Sequence, residues 1–351
     1  MSRSPLTADL DELLTQGRVP WEDLRGARVF ITGGTGFFGA WLLESLLHAG
    51  RALHLDVRAT VLTRDAPAFL ARHPHLDGAP ELTFHRGDVR RFDFPAGRFT
   101  HVVHAAAAAD AALNREQPGL MRDVIMTGTR RALEFAARAG VKKFLFVSSG
   151  AVYGPRAAGQ GPATEDSADF DVPLPIPDAY AQGKREAERL CAQAAAEGLE
   201  TVVARGFAFV GPHLPLDSHF AIGNFIRDAL RGGPIRVAGD GSPLRSYLYA
   251  ADLAAWLWTV LLRGAPGRAY NVGSERALSI ADLARLVRDE LAPSAEVLVA
   301  QAPIPGEPVR AYVPSTERAR RELGLEETVS LQEAVRRTAD WARRSNSTMP
   351  A

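Results

Sequence analysis

Three glycines spaced three residues apart directly follow an apolar strand near the start of this chain. The segment 28–31 is predicted to be a buried strand, and Gly33, Gly36 and Gly39 come next. The first glycine permits a tight turn, the second lets a pyrophosphate approach the backbone, and the third lets the next helix pack on the sheet. The N-terminus of that helix offers oriented N–H groups to an anion. Glycine-rich turns also occur without any nucleotide, so the pattern alone leaves a plain turn and a dinucleotide site both open.

A tyrosine and a lysine four residues apart form the second pattern. Tyr180 and Lys184 lie in a segment that is predicted to be a helix from about 178 to 197, so both side chains share one helix face. A free tyrosine has a pKa of about 10, and a nearby ammonium group lowers that pKa. We therefore predict that Lys184 makes Tyr180 usable for proton transfer at neutral pH. The same spacing is also common on solvated helices.

Two serines end a strand that is predicted at 144–147. Ligands gather at the carboxyl ends of the strands in an open parallel sheet. We therefore expect Ser148 and Ser149 at the level of a cofactor, where a hydroxyl group can hydrogen-bond a substrate oxygen. Serines at strand ends are also often simple caps.

Charge and cysteine content exclude several classes of function. The chain has 41 basic and 41 acidic residues, so nothing indicates attraction to nucleic acid or to a membrane surface. The single cysteine, Cys191, cannot form an intramolecular disulfide. With no signal-like or 18-residue apolar stretch, this composition favours the cytoplasm. No metal site is predicted.

Apolar strands alternate with helices from residue 28 to about 150, which predicts an α/β fold with a Rossmann-type doubly wound parallel sheet. Strands are predicted at 29–31, 59–62, 82–85, 101–104, 144–147 and 201–204, and helices at 38–48 and 119–139. The segments 248–262 and 269–272 are both interpreted as returns to the main sheet.

These elements predict two lobes. The dinucleotide-binding domain is assigned to 27–205 plus about 247–275, and a smaller C-terminal substrate-binding lobe to 206–246 plus 276–345. Residues 1–26 form an N-terminal extension. Leu6, Leu10, Leu13 and Leu14 predict a short helix there, anchored by Trp21.

The motifs occur in an order that resembles the extended short-chain dehydrogenase/reductase family, which includes nucleotide-sugar epimerases, dehydratases and 4-keto reductases. The resemblance runs from Arg28 to about Trp341. After the glycine turn it rests on Gly87-Asp88-Val89, His104-Ala105-Ala106, Ser149, Tyr180 with Lys184, Arg205 to Pro212, Gly239-Asp240-Gly241 with Arg245, Asn271-Val272-Gly273, and Leu323-Gly324.

This resemblance implies a catalytic set and a cofactor site. Tyr180 would be the acid/base at the sugar oxygen, Ser149 would orient that oxygen, and Lys184 would bind the nicotinamide ribose. Asp88 resembles the adenine-contacting acid of the family. The implied cofactor-binding residues are Gly33, Gly36, Phe37, Phe38, Gly39, Thr63, Arg64, Asp88, Val89, His104, Ala105, Ala106, Tyr180 and Lys184.

The end of the second strand bears on the choice between NAD and NADP. NAD-using relatives carry an acid where this chain has Thr63, and Arg64 follows. A guanidinium group pairs well with a 2′-phosphate. Asp65 would restore binding of the ribose diol if the turn is displaced. The sequence therefore favours NADP over NAD and leaves NAD open.

The residues after Ser149 narrow the reaction. Members of the family that are 4,6-dehydratases carry an Asp-Glu pair at that place, whereas this chain has Gly150 and Ala151. Neither residue transfers a proton, which counts against 4,6-dehydration and against the decarboxylase variant. We expect reduction of a 4-keto sugar, with reversible 4-epimerisation through a retained NAD as the alternative. A non-catalytic dinucleotide-binding regulator and a reductase of a non-sugar ketone are further alternatives.

The substrate is expected to be a nucleotide sugar. Asn224, Arg245 and Arg310 match nucleotide-binding positions of the family, and arginine forks suit phosphate. Two departures affect the substrate pose, because Ile125 and Ala208 stand where relatives usually carry asparagine. Relatives commonly dimerise through the helices near 119–139 and 178–197, so a homodimer is expected by analogy.

Overall fold

The computed structural model describes residues 4–106, 111–175, 178–218 and 220–347. Among these residues no helix is both long and apolar enough to cross a membrane. The strands are β1 Arg28–Thr32, β2 Arg58–Thr63, β3 Leu82–Arg86, β4 His101–His104, β5 Lys143–Ser149, β6 Arg156–Ala157, β7 Glu200–Gly206, β8 Phe209–Val210, β9 Ile235–Val237, β10 Leu244–Arg245, β11 Leu248–Tyr249, β12 Ala269–Val272, β13 Leu278–Ser279, β14 Val297–Val299 and β15 Arg310–Tyr312.

The helices are α1 Thr7–Thr15, α2 Phe37–Ala52, α3 Ala66–Arg72, α4 Ala111–Glu116, α5 Pro118–Arg138, α6 Ala179–Ala196, α7 Ala221–Leu230, α8 Ala250–Arg263, α9 Ile280–Leu291, α10 Glu317–Leu323 and α11 Leu331–Ser347. The predicted strands up to β7 and the predicted helices at α2, α5 and α6 are confirmed, with ends that differ by up to four residues.

Seven parallel strands form the central sheet in the order β12-β7-β5-β4-β1-β2-β3. The chain builds outward from β1 in one direction through β2 and β3, and then in the other direction from β4. The order therefore reverses between β1 and β4, and a crevice for ligands opens outside the carboxyl ends of these two strands. This arrangement confirms the predicted doubly wound parallel sheet.

The segment 248–262 was interpreted wrongly as a return to the main sheet. Only Leu248 and Tyr249 are extended, and they pair with β8 in a separate two-stranded sheet. The remainder is helix α8, in which every residue from Ala250 to Leu262 is buried. A helix that is buried on all sides reads as a continuous apolar run, so its periodicity does not distinguish it from a buried strand. The predicted return at 269–272 is correct, because β12 pairs with β7.

A second sheet has the order β13-β10-β15-β6 and places β15 beside the end of the main sheet. Strand β6 lies within the range that was assigned to the dinucleotide-binding domain, yet it pairs with β15. The hydrogen-bonded partner of β6 thus lies in the range that was assigned to the substrate-binding lobe.

The N-terminal segment forms the predicted helix, α1. Leu6, Leu10 and Leu13 are buried, and Leu14 packs on the same core. Trp21 is also buried, with its ring 6.2 Å from that of Trp258 on α8. The extension is thus part of the main core.

Gly39→Ala is expected to destabilise the fold. A Cβ atom at Gly39 would lie 2.3 Å from the Cα of Gly34 and 2.4 Å from the carbonyl oxygen of Gly33, so α2 would have to move away from the turn. Overpacking against backbone costs about 1–3 kcal/mol, which urea unfolding can measure. Gly119→Ala is the matched control, because a Cβ there meets nothing within 4 Å and alanine favours a helix. Equal unfolding free energies for Gly39→Ala and wild type would contradict this packing.

Candidate active site

The glycine turn after β1 is closely packed at Gly33 and Gly39 and open at Gly36. A Cβ at Gly33 would lie 2.6 Å from backbone atoms of Ala105 and Ala106, and the backbone there has a φ of +72°. Gly33 and Gly39 therefore make close contacts within the protein. A Cβ at Gly36, in contrast, would meet only the Gly33 carbonyl oxygen, at 3.5 Å. The open side of the turn thus lies at Gly36, at the N-terminus of α2, where an anion is favoured.

His104 ties the neighbouring strand end to this turn. Its Nδ1 lies 2.7 Å from the hydroxyl oxygen of Thr32, and its Nε2 lies 3.1 Å from that of Thr129. Burial lowers the pKa of His104 to about 3, so the ring is neutral. The N–H of Ala106 also donates to the Thr32 hydroxyl, over 3.2 Å. Both ring nitrogens of His104 are thus hydrogen-bonded within the protein. Ala105 and Ala106, which follow His104, lie against the turn at Gly33.

The residues that were predicted to bind the adenosine end follow β2 and β3. Asp88 accepts hydrogen bonds from the Arg90 guanidinium at 2.9 and 3.0 Å, and this pairing lowers the pKa of Asp88 to about 2. Val89 packs against Gly128 of α5, where an added Cβ atom would lie 3.0 Å from the Val89 side chain. These contacts fix the loop after β3 against α5.

At the end of β2, Thr63 is buried and Arg64 is exposed. The Thr63 hydroxyl accepts a hydrogen bond from the backbone N–H of Asp65, and the Asp65 carboxylate caps α3 by accepting from the N–H of Ala68. Among the described residues Arg64 forms no ion pair. The guanidinium group therefore stays available at this strand end, while the nearby acid is engaged as a helix cap.

Three hydroxyl groups come together at the end of β5. The Ser149 hydroxyl group lies close enough to the Tyr180 phenol to lower the pKa of Tyr180. The Ser149 Oγ also lies 3.3 Å from the hydroxyl oxygen of Tyr312 and accepts a hydrogen bond from the N–H of Ala151. Sequence analysis predicted Ser149 and Tyr180 but missed Tyr312, which comes from β15, more than 160 residues after Ser149. No local motif marks that tyrosine.

Lys184 is buried beside these hydroxyl groups. Its ammonium group donates a 2.7 Å hydrogen bond to the carbonyl oxygen of Val147 on β5. The nitrogen lies 4.7 Å from the ring centroid of Phe146 and 5.8 Å from that of Tyr180. Burial lowers the pKa of Lys184 to about 8.

The pKa of Tyr180 is raised above its usual value, whereas sequence analysis predicted that Lys184 lowers it. Burial is the main cause, the neighbouring Ser149 hydroxyl group only partly offsets it, and Asp178 raises the pKa further. Lys184 does not counter the burial because its ammonium group is directed to the Val147 carbonyl instead of the phenol oxygen. Tyr180 therefore holds its proton at neutral pH.

A buried polar network supports the strand end that carries Ser149. Ser148 donates to Glu188 of α6, and Glu188 forms an ion pair with Arg205 at 2.7 Å. Arg205 also donates to the Tyr153 hydroxyl, which donates to Asn271. Sequence analysis did not name Glu188 or Tyr153. The spacing of four residues that joins Lys184 to Tyr180 also places Glu188 on the same face of α6.

Gly150 has no room for a side chain. A Cβ there would lie 2.8 Å from ring atoms of Phe207. An acidic residue at this position, as in the family's dehydratases, would therefore displace the ring. The position of the Phe207 ring therefore leaves no space for a carboxylate at residue 150.

The predicted substrate residues lie on the smaller lobe. Arg245 on β10 is the register partner of Tyr312 on β15, and its guanidinium carbon lies 5.6 Å from the Tyr312 ring centroid. Arg310 is two residues before Tyr312 on β15, so both side chains leave the same face of the strand. Asn224 lies on α7, where its amide oxygen accepts from Arg227. The structure thus places Arg245 near the hydroxyl cluster, whereas the described contacts do not join Asn224 to it.

Ile125 replaces a polar residue of the family with an apolar contact. It is buried on α5, and a Cβ at Gly183 of α6 would lie 3.2 Å from its side chain. The two helices are packed against each other at this point. Ile125 therefore contributes to the seam that holds the Tyr180 helix. Ala208 is partly buried against the core.

The comparisons with known proteins agree with this geometry. A family model described as the NAD dependent epimerase/dehydratase family matches residues 29–273. UDP-glucuronic acid decarboxylase 6 of Arabidopsis thaliana is 28% identical over 312 residues, which cover 88% of this chain and 86% of the relative. dTDP-glucose 4,6-dehydratase of Streptomyces antibioticus is 27% identical over 319 residues, which cover 90% and 92%.

Two solved structures share the fold closely. UDP-glucose 4-epimerase of Thermotoga maritima with UDP-glucose has a TM-score of 0.76 and 25% identity, covering 91% of this chain and 99% of the other. dTDP-glucose 4,6-dehydratase of Streptomyces venezuelae with NAD bound has a TM-score of 0.76 and 26% identity, covering 91% and 98%. The resemblance that the motifs indicated is thereby confirmed, and this chain belongs to the NAD-dependent epimerase/dehydratase family, a group of enzymes within the extended short-chain dehydrogenases/reductases.

Proposed function

We propose that this protein is an NADP-dependent oxidoreductase that reduces the 4-keto group of a nucleotide-diphosphate sugar. The observation that carries the proposal is the convergence of the Ser149, Tyr180 and Tyr312 hydroxyl groups beside the buried Lys184 at the end of β5. Reduction of a ketone requires a proton donor at the carbonyl oxygen, and a tyrosine that keeps its proton is suited to that step.

The glycine turn fits the pyrophosphate of a nicotinamide dinucleotide. Gly36 leaves the space for it, and Ala105 and Ala106 would lie beneath the nicotinamide ribose. When bound, the cofactor supplies the hydride that reduces the sugar carbon. Arg64 supports NADP, because its free guanidinium group can pair with a 2′-phosphate while Asp65 is engaged as a helix cap.

The proton chemistry belongs to the hydroxyl cluster. Ser149 would donate a hydrogen bond to the ketone oxygen and hold it beside the Tyr180 phenol. Tyr180 would transfer its proton to that oxygen as negative charge develops there. Lys184 would bind the nicotinamide ribose, as the resemblance to the family implies. Tyr312 provides a further hydroxyl group beside Ser149.

The packing at Gly150 supports simple redox chemistry over elimination. The relatives named dehydratase and decarboxylase would suggest those reactions. In this chain Phe207 occupies the space that an acidic side chain at 150 would need, and Ala151 carries no ionisable group. Reduction or epimerisation at C4 requires neither acid.

Arg245 and Arg310 are proposed to bind the diphosphate of the substrate. Arg245 lies against Tyr312, which brings positive charge close to the proposed carbonyl site. Arginine binds phosphate oxygens through paired hydrogen bonds.

The second candidate function is 4-epimerisation with a retained NAD. It is favoured by the similarity to the solved UDP-glucose 4-epimerase.

The homodimer that was expected from the pairing of α5 and α6 stays a prediction.

An assay of cofactor turnover tests the proposed function. Purified protein is given NADPH or NADH with UDP- and dTDP-linked 4-keto hexoses, and cofactor absorbance and sugar products are followed together. We expect stoichiometric oxidation of NADPH with formation of the 4-hydroxy sugar. Tyr180→Phe, which keeps the ring and removes the proton donor, should lower the rate by about 10²–10⁴-fold.

Other results in that assay have different meanings. Formation of a C4 epimer from UDP-glucose without net change in cofactor would replace the reductase proposal by the epimerase. Cofactor binding with no turnover, and an unchanged biological effect of Tyr180→Phe, would favour the non-catalytic regulator.

Lys184→Met is expected to change the pH dependence of stability. The folded-state pKa of Lys184 is about 8, against 10.5 for an unperturbed lysine, so between these values the unfolded chain binds more protons. The wild type therefore gains stability from this group as pH rises from about 8 to 10.5, by at most about 3 kcal/mol, and bears the full cost of burial below pH 8. The stability of Lys184→Met relative to wild type should accordingly be greatest below pH 8 and fall above it.

Urea unfolding from pH 7 to 10.5 measures this difference. Lys142→Met is the matched control, because Lys142 is exposed and its ammonium group stays in water. A stability difference between Lys184→Met and wild type that does not change with pH would contradict the buried-ammonium account.

A further inference from the structure

Three imidazoles and one carboxylate meet in the interior on elements that do not carry Ser149 or Tyr180. Glu44 lies on α2, His73 and His75 lie just after α3, and His213 lies in the loop after β8. Glu44 and His73 are each 3% exposed, and His75 is 8% exposed. No local sequence motif marks this cluster, because its residues come from three distant segments.

Three of these side chains, Glu44, His73 and His213, direct ligand atoms to one place, and His75 lies beside Glu44. The Nε2 of His75 lies 2.9 Å from the Oε1 of Glu44, and the Nδ1 of His73 and the Nε2 of His213 each lie 3.7 Å from it. The ligand atoms of Glu44, His73 and His213 all lie within 4.8 Å of one another.

The ligand atoms of His73 and His213 lack close hydrogen-bond partners. Glu44 Oε1, His73 Nδ1, His75 Nε2 and His213 Nε2 are all buried, and the one contact among them at hydrogen-bonding distance is that between His75 and Glu44, at 2.9 Å. Leaving one buried polar atom unsatisfied costs about 1–3 kcal/mol. Two such nitrogens that face the same carboxylate oxygen indicate a shared partner.

We propose that Glu44, His73 and His213 bind one Zn²⁺ ion. Zinc is held tetrahedrally by imidazole nitrogen and carboxylate oxygen at about 2.0–2.2 Å, which places ligand atoms about 3.3–3.5 Å apart. The two 3.7 Å separations from Glu44 Oε1 require only a small contraction. Two imidazoles beside one carboxylate favour a transition metal over Mg²⁺ or Ca²⁺, which prefer oxygen ligands.

The surroundings hold the ligands in place. Ser4 donates a hydrogen bond to the second carboxylate oxygen of Glu44. Phe69 stacks on the His73 ring at 4.2 Å, and Trp341 of α11 packs edge-on against His213 at 5.0 Å. A hydrogen bond to the other oxygen of a ligating carboxylate and an apolar shell are typical supports of a metal site.

The three protein ligands leave the fourth position of a tetrahedral shell to water. The bound ion would join α2, the segment after α3 and the loop after β8, which are far apart in the sequence. Metal binding at such a site contributes directly to folding free energy.

A proton is the competing partner of Glu44. One protonated imidazole would neutralise the carboxylate and form one hydrogen bond. It would leave the remaining two imidazole nitrogens without a partner, whereas one metal ion satisfies Glu44 Oε1, His73 Nδ1 and His213 Nε2 together.

Metal content and thermal unfolding of the full-length, tag-free protein test the proposal. Protein from zinc-supplemented cells should contain about one zinc per chain after extensive washing. Removal of zinc by a chelator should lower the Tm by about 5 °C or more, and Zn²⁺ but not Mg²⁺ should restore it. Co²⁺ added to the metal-free protein should give the intense visible absorption of a tetrahedral site.

His213→Asn and His54→Asn form a matched pair. Both histidines have a left-handed backbone, with φ of 70° and 52°, which asparagine also adopts. His54 is exposed and outside the cluster. We expect His213→Asn to lose the zinc and the Zn²⁺-dependent rise in Tm, and His54→Asn to keep both.

Three results would overturn the site. These are equal zinc content in the two variants, a wild-type Tm that is the same with and without zinc, or Co²⁺ spectra of an octahedral ion. The wild-type chelation and Co²⁺ measurements decide the question even if His213→Asn does not fold.

Discussion

The hydrogen bond from the Lys184 ammonium group to the Val147 carbonyl is the contact on which the candidate active site depends. It joins α6 to β5 at a buried position. A buried ammonium group is stable only when its hydrogen bonds and charge are met, so its position along the strand is tightly restricted. One turn of helix away, Tyr180 is thereby brought to Ser149 at the end of the same strand. Burial of this ammonium group lowers its pKa, so holding it charged in the interior costs the fold stability.

Much of the fold could be predicted because its signals are local. The strands up to β7 are short apolar runs, and the glycine turn marks the first crossover. The helix period placed Tyr180 and Lys184 on one face, and the resemblance to the family brought Ser149 together with Tyr180. Helix α8 could not be recognised, because burial on every side removes the polar positions that reveal a helix. Tyr312 and the His73 cluster were missed for a different reason: they arise from contacts between distant segments.

The pKa of Tyr180 shows the limit of reasoning from spacing. A lysine four residues away was expected to favour the phenolate. Spacing places two side chains on one face, but it does not fix where a flexible lysine directs its charge. Here the Lys184 ammonium group donates its hydrogen bond to the Val147 carbonyl, and burial is the largest influence on the pKa of Tyr180. With its pKa raised by burial, Tyr180 keeps its proton at neutral pH.

The central claim is that the turn at Gly36 receives the pyrophosphate of a nicotinamide dinucleotide. Gly36→Val tests this most directly, because Gly36 has extended backbone, with φ −89° and ψ −176°, and an added Cβ meets only one protein atom, at 3.5 Å. Calorimetric titration with NADPH and NADH should show binding to the wild type. For the variant we expect binding weakened by about 100-fold or more, equivalent to ~2.7 kcal/mol, with an unchanged Tm. Equal affinity in the two proteins, or no binding by the wild type, would contradict the account.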